Sequence, residues 1–150
     1  MLNLPTYLFR IKLKEGKRII FDSWRRKWVS LTPEEWVRQN FARFLTEEKH
    51  FPSARLGIEY SLNLNQQNFR ADIVVFGKNG EPVMITECKA PEVKISQQVF
   101  DQIVRYNMKL QVKYLIVTNG MSHYCCVINR VHFTYSFLEE IPDFKDLQPD

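Results

Sequence analysis

The stretch "RADIVVFGKNGEPVMITECKAP", residues 70–91, decides the fold. Two apolar runs, "ADIVVF" and "PVMITE", flank "GKNGEP", whose Gly, Asn and Pro are turn residues. Apolar runs of this length between turn signals read as buried strands, and the short connection pairs them as an antiparallel hairpin. Charge is out of place in such strands, yet Asp72 interrupts the first, and Glu87 and Lys89 close the second. In a hairpin the start of one strand lies beside the end of the other, which brings Asp72 to Glu87. Glu87 and Lys89 are two apart, so on a strand they share a face.

Two carboxylates meeting at a sheet edge repel, and one pKa rises. A divalent cation removes the conflict. Oxygen ligands suit magnesium, with manganese as the expected substitute. Lys89 could hold or activate a water beside the metal, and the metal would stabilise charge on a phosphate oxygen. Such a constellation is a hydrolytic site for a phosphodiester. Taken singly, an acid near a strand end is usually a solvated edge residue, and Glu87–Lys89 could be a surface ion pair of ~1 kcal/mol at most. The combination of Asp72, fourteen intervening residues and Glu87-x-Lys89, flanked by apolar runs, favours catalysis.

Composition is compatible with an enzyme core. The 150 residues are 45% hydrophobic and 25% charged, enough for one domain over 1–150. Within it, 1–30 reads as an N-terminal extension and 31–137 as the core. No apolar run approaches the roughly 18 residues of a transmembrane helix. The N-terminal stretch lacks the order of a signal peptide. Cys88, Cys125 and Cys126 have no zinc spacing and read as reduced thiols of a cytoplasmic protein. A net charge of +4 and a pI near 9.0 fit a polyanion partner without establishing one.

Outward from the central hairpin, "YLFRIKL", "KEGK" and "RIIFD" read as an N-terminal β-hairpin. "LTPEEWVRQNFARFLTEE" is a helix, capped by Thr32, with Pro33 first and Glu35 completing a capping box. Val37, Phe41, Phe44, Leu45 and Glu48 share a side. "GIEYSLNL" is a half-buried strand and "NQQN" (65–68) a turn. Ser96 caps a second helix, with Val99, Ile103, Tyr106 and Leu110 as its stripe. "KYLIVTN" is another strand. "YCCVI", the turn Asn129-Arg130 and "VHFTYSF" close the chain as a hairpin. The class is α/β or α+β.

"RADIVVF", "EPVMITECKAP", "FDQIVRYN" and "YLIVTNG" together resemble the PD-(D/E)XK nuclease superfamily, and more closely the N-terminal nuclease domain of type I restriction enzyme R subunits. The resemblance covers roughly residues 31–130. Asp72, Glu87 and Lys89 match its D…ExK triad, and Gln102 and Tyr106 match the Q-xxx-Y element of RecB-like nucleases. It implies a restriction-endonuclease-like core, a central mixed sheet flanked by helices, and magnesium-dependent cleavage of double-stranded DNA. It also implies a restriction context with a motor or specificity subunit as partner, and no membrane. These R subunits continue into an ATPase motor; this sequence has no Walker motif.

The family's first helix usually contributes an acid to the metal site. Glu34 falls near Phe41 and Leu45 on the helical wheel and is preferred, with Glu35 pointing away. The backbone carbonyl of Cys88 is a further candidate ligand, its side chain turned to the core. Gln102 and Tyr106 read either as active-site or DNA contacts, or as a boundary amide and a core aromatic. Arg25, Arg26 and Lys27 in "WRRKW" read either as phosphate contacts between stacking tryptophans or as a solvated strand with its tryptophans inward. A rival to the nuclease is a catalytically inactive nucleic-acid binding module that keeps the fold.

Overall fold

The computed structural model describes residues 1–64 and 66–147. The expected turn at 65–68 includes Asn65, which lies outside the described residues. The chain opens with an antiparallel sheet of β1 (Ile11–Lys14), β2 (Lys17–Asp22) and β3 (Lys27–Ser30). Glu15 and Gly16 join the first two strands with φ of 51° and 78°. Two residues in that region make the tight turn that suits a twisted hairpin. β3 extends the expected hairpin to three strands. Asp22 causes it: its Oδ1 accepts from the backbone N–H groups of Trp24 (2.9 Å) and Arg25 (3.2 Å), and Arg26 takes a φ of 54°. The chain turns, and Trp28 comes back beside Phe21.

Helix α1 (Pro33–Glu47) starts as its sequence dictates, the Thr32 hydroxyl accepting from the Glu35 N–H at 3.0 Å. Val37, Phe41 and Leu45 lie on the inward stripe with no exposed surface, each burial contributing roughly 1.5–3 kcal/mol. Glu48, expected on that stripe, is instead the exposed C-cap.

The main sheet runs β4-β5-β6-β7-β8-β9: β4 (Leu56–Leu64), β5 (Gln67–Phe76), β6 (Pro82–Cys88), β7 (Tyr114–Thr118), β8 (His123–Asn129) and β9 (Thr134–Leu138). β5 and β6 form the hairpin read from 70–91, with Val74 opposite Ile85. β6 and β7 are parallel, the crossover between them carrying helix α2 (Gln97–Met108), and the other pairings are antiparallel. Alternate residues of the central strands divide between two cores. Ile73, Val75, Met84, Ile116 and Cys125 pack with α1; Val74, Ile85, Leu115, Val117 and Cys126 pack with α2. The result is a mixed sheet between two helical layers.

Two boundaries differ from the sequence reading. On α2, capped by Ser96 as expected, the buried residues are Phe100, Val104 and Asn107, one position round from the expected Val99, Ile103 and Tyr106, while Leu110 just beyond the helix is buried as expected. The large Phe100 ring sets that rotation, and Asn107 becomes tolerable inside by donating to the Ile103 carbonyl at 2.8 Å. The β8–β9 connection spans 130–133 because the Asn129 carboxamide oxygen accepts from the N–H groups of Val131 and His132 and holds a wider turn.

The N-terminal tail is fastened across the molecule. The Asn3 N–H donates to the Gly120 carbonyl at 2.8 Å, the Asn3 carbonyl lies 3.0 Å from His123 Nε2, and Leu2 and Leu4 pack on the α1 core. Gly120, at a φ of 82°, leaves room for Leu2: a Cβ there would lie 2.7 Å from the Leu2 Cδ2.

Candidate active site

Asp72 sits in β5 just before the point where that strand pairs with the end of β6. Ile73 faces Thr86, so the next step of the same register sets Asp72 against Glu87. The side chain completes this junction: Asp72 Oδ2 accepts the backbone N–H of Cys88 at 2.8 Å. The strand end is also tied to its other neighbour, since the Lys89 N–H donates to the Thr118 carbonyl of β7 at 2.8 Å. The sheet thus presents Glu87, Cys88 and Lys89 on a backbone bonded from both sides.

The electrostatics follow from that crowding. Burial pushes the Glu87 carboxyl up to about 8, helped by Asp72, which repels its charged form and accepts a hydrogen bond from its protonated form; Lys89 works in the other direction. Glu34 is raised as well, first by desolvation and then by Asp72, against the pull of Arg38 and Lys89. Asp72, Glu87, Lys89 and Glu34 therefore share one electrostatic neighbourhood. Burial pushes the Cys88 thiol up, with Asp72 adding to the effect, and its side chain lies in the α1 core.

The residue that dominates the site is Arg38, which the sequence reading did not single out. Its side chain is 5% exposed. Nη2 lies 2.7 Å from Asp72 Oδ1, 2.8 Å from Glu59 Oε1 and 3.4 Å from Glu34 Oε1, while Nη1 donates to Glu35 Oε1 at 2.7 Å. Burial opposes the charge on Arg38, but the hydrogen bond and charge of Asp72, then Glu35 and Glu59, outweigh it and raise the pKa. Spacing was the available signal: Arg38 stands three after Glu35 and four after Glu34 on one helix, where side chains meet. Glu59 gave less warning, because it reaches the cluster from inside β4 through a left-handed backbone with a φ of 49°.

Glu35 does not point away. It is 5% exposed and bonded to both Arg38 and Arg25, and its carboxylate makes no return to the Thr32 cap; Glu34 is the more exposed of the two. The charge of Arg38 draws Glu35 inward, an attraction that the helical wheel omits. Arg25 is likewise not a free phosphate contact. It is paired to Asp22, to Glu35 at 2.7 Å and to Glu59 at 3.6 Å, and its neighbour Trp24 packs on the α1 core. Arg26 and Lys27 are exposed. Gln102 and Tyr106 stand on the solvent side of α2, across the sheet from α1, and the Tyr106 ring meets Phe69 edge-on at 5.4 Å. Tyr106 is thus no core aromatic.

The donor set suits a small hard cation: two adjoining carboxylates and a strand-end carbonyl. Asp72 Oδ1 accepts from Arg38 and Oδ2 from the Cys88 N–H, and loss of the Glu87 proton would leave each oxygen a lone pair for a cation. Among the described residues, no group of three or more His, Cys, Asp or Glu side chains already surrounds a metal-sized point, and Arg38 takes up Asp72 Oδ1. Acids nonetheless outnumber bases: Asp22, Glu34, Glu35, Glu59, Asp72 and Glu87 face Arg25, Arg38, Arg70 and Lys89.

Residues 33–142 match the family described as "Type I restriction enzyme R protein N terminus". No curated protein matches the chain. A solved structure, the fragment assigned to an HsdR subunit of a type I restriction enzyme from Vibrio vulnificus YJ016, is similar with a TM-score of 0.55 and 18% identity over 78% of this chain and 24% of that one. At that identity the likeness is one of fold, and it carries the mixed sheet with its flanking helices. The chain spans about a quarter of the length of that solved chain.

Proposed function

The chain belongs to the family of type I restriction enzyme R protein N-termini, and from that membership we propose that it is a magnesium-dependent endonuclease domain that hydrolyses phosphodiester bonds of double-stranded DNA. The observation that carries this reading is the meeting of Asp72 with Glu87, under the charge of Lys89, at the end of a strand bonded on both edges. A half-buried pair of acids side by side is a conflict that structure alone has no use for, and such conflicts cluster at functional sites.

In this reading Asp72, Glu87 and the Cys88 carbonyl hold the metal, with Glu34 as an outer acid and manganese able to replace magnesium. The bound cation supplies charge stabilisation at the phosphate and lowers the pKa of a water. The chain's own residues do the rest. The Lys89 ammonium orients the attacking water and balances charge. Arg38 fixes the Asp72 carboxylate through Oδ1 while the Cys88 N–H fixes Oδ2. Gln102 and Tyr106 approach DNA from the α2 side. A cytoplasmic setting accords with the three free cysteines, and a restriction setting with a motor or specificity subunit accords with the family. Among the described residues, no helix is long and apolar enough to cross a membrane.

A second reading has one observation in its favour. Arg38 already neutralises Asp72 without a metal, as a binding module that has lost catalysis would need. Plasmid DNA incubated with magnesium, with manganese and with EDTA decides between them. Metal-dependent nicking or linearisation, absent in Asp72→Asn, supports the nuclease. Intact plasmid in both metals, with DNA still bound, supports the module.

A further inference from the structure

The matched family range begins at residue 33 and leaves the sheet of β1, β2 and β3 outside it. That sheet has two unlike faces. Ile20 is fully buried and Asp22 is 1% exposed, so their side is the one against the body of the protein. The other side follows from the register. Lys12 faces Ile19, Lys14 faces Lys17, and Phe21 faces Trp28, while Arg10 bonds beside Phe21. One outer face therefore carries Arg10, Lys12, Lys14 and Lys17 around two half-buried aromatic rings.

We propose that this outer face binds the phosphate backbone of duplex DNA. All four basic residues are exposed. Arg25, Arg38, Arg43 and Arg70 are each tied to a carboxylate, whereas these four make no salt bridge among the described residues. The acids of the strands and turn stand elsewhere: Asp22 lies on the inner face, and Glu15 lies in the hairpin turn. The rings order two of the cations. The Arg10 guanidinium lies 4.8 Å from the Phe21 ring and 5.3 Å from the Trp28 ring, and the Lys12 ammonium 4.1 Å from the Trp28 ring. Holding long side chains along a face reduces the ordering cost of binding. Each cation keeps its outward hemisphere for a phosphate oxygen. With the rings covered by cations, the face suits backbone contact and not stacking on bases.

The choice of duplex DNA over another polyanion rests on the nuclease reading; the charged face itself does not. The bland alternative is an edge strand carrying lysines that only prevent sheet-to-sheet aggregation. The test is fluorescence anisotropy of a random-sequence duplex against the whole chain, without metal, across a salt series. Four phosphate contacts carry a slope of about 3.6 in log affinity against log salt, roughly 150-fold between about 50 and 200 mM. The variant R10A/K12A/K14A/K17A should lose about that slope. The control K78A/K94A/K109A/K145A removes equal charge from elsewhere and should keep it. If the fourfold variant misfolds, K14E/K17E at the hairpin tip replaces it, with a slope lowered by about 1.8. Equal losses in variant and control, or no DNA binding by the wild type, overturn the assignment. So does binding to phosphatidylserine vesicles in place of DNA. The plasmid assay keeps the two readings separate. Cleavage with an unchanged slope removes only this surface, and a lost slope in a chain that never cleaves removes only the nuclease.

Discussion

Arg38 reaches from the middle of α1 to Asp72 in β5, with 2.7 Å between Nη2 and Oδ1, and so holds the charge that a metal would otherwise balance. Arg38→Gln removes that charge and leaves Asp72, Glu35 and Glu59 facing one another. Breaking a buried ion pair by deleting one partner costs about 3–5 kcal/mol. Thermal melting in EDTA should show a large drop for Arg38→Gln. Millimolar magnesium should then raise the variant's Tm by more than the wild type's, since a ligand selective for the folded state stabilises it. Equal magnesium shifts in both proteins would show that Arg38 and the cation do not share Asp72.

The pH dependence of stability should carry the mark of Glu87. Its carboxyl is raised to about 8 in the folded protein from an ordinary value of 4.5. An acid raised on folding stabilises fully below its unfolded pKa, and that contribution disappears as pH climbs through the folded one. Metal-free wild type should therefore lose stability between about pH 4.5 and 8, by an amount on the order of a few kcal/mol. Glu87→Gln keeps the neutral shape and should not show that loss. Parallel melting profiles for the two proteins across this range would refute the burial of an acid at 87.

The same carboxyl predicts proton release. Below pH 8 a cation binding at Glu87 must displace its proton. Calorimetric titration of magnesium in two buffers of different ionisation enthalpy should give different apparent heats, and Glu87→Gln should abolish the difference. Buffer-independent heats for the wild type would place the ion elsewhere.

Lys89→Ala should abolish cleavage while leaving metal affinity largely intact, because Lys89 acts on the water and on charge balance and not as a ligand. Plasmid cleavage and manganese titration read the two effects separately. Wild-type cleavage in the variant would take Lys89 out of the chemistry.

Arg25→Ala should behave as a stability variant. It strips Asp22, 1% exposed, of its salt-bridge partner, and a drop of up to about 3–5 kcal/mol is expected in chemical denaturation. The salt slope of DNA binding should stay as in the wild type. A flattened slope with unchanged stability would return Arg25 to the DNA surface.

The hairpin of 70–91 was legible because apolar runs, turn residues and misplaced charge all pointed the same way there. The flanking helices were legible from their caps, Thr32 and Ser96. Arg38 and Glu59 were not, since their importance lies in contacts between α1, β4 and β5 that no local pattern encodes. Glu35 was misjudged for a related reason: its inward turn depends on Arg25 and Arg38. The third strand was only one of two readings of "WRRKW", because it depends on one side chain, Asp22, capping a turn within that charged stretch. The stripe of α2 shifted by one residue because burial of a large ring at Phe100 outweighed the placement of a tyrosine.

The fastening of Asn3 to Gly120 and His123 has a consequence for the order of events during synthesis. Asn3 has neither of these hydrogen-bond partners until the β7–β8 turn has been made, more than a hundred residues later. Until then, only the packing of Leu2 and Leu4 on the α1 cluster can hold the tail on a growing chain. Closing so distant a contact is entropically slow. The tail should be among the last parts of the molecule to gain hydrogen-exchange protection on the ribosome, and among the first to lose it when the β7–β8 turn is loosened.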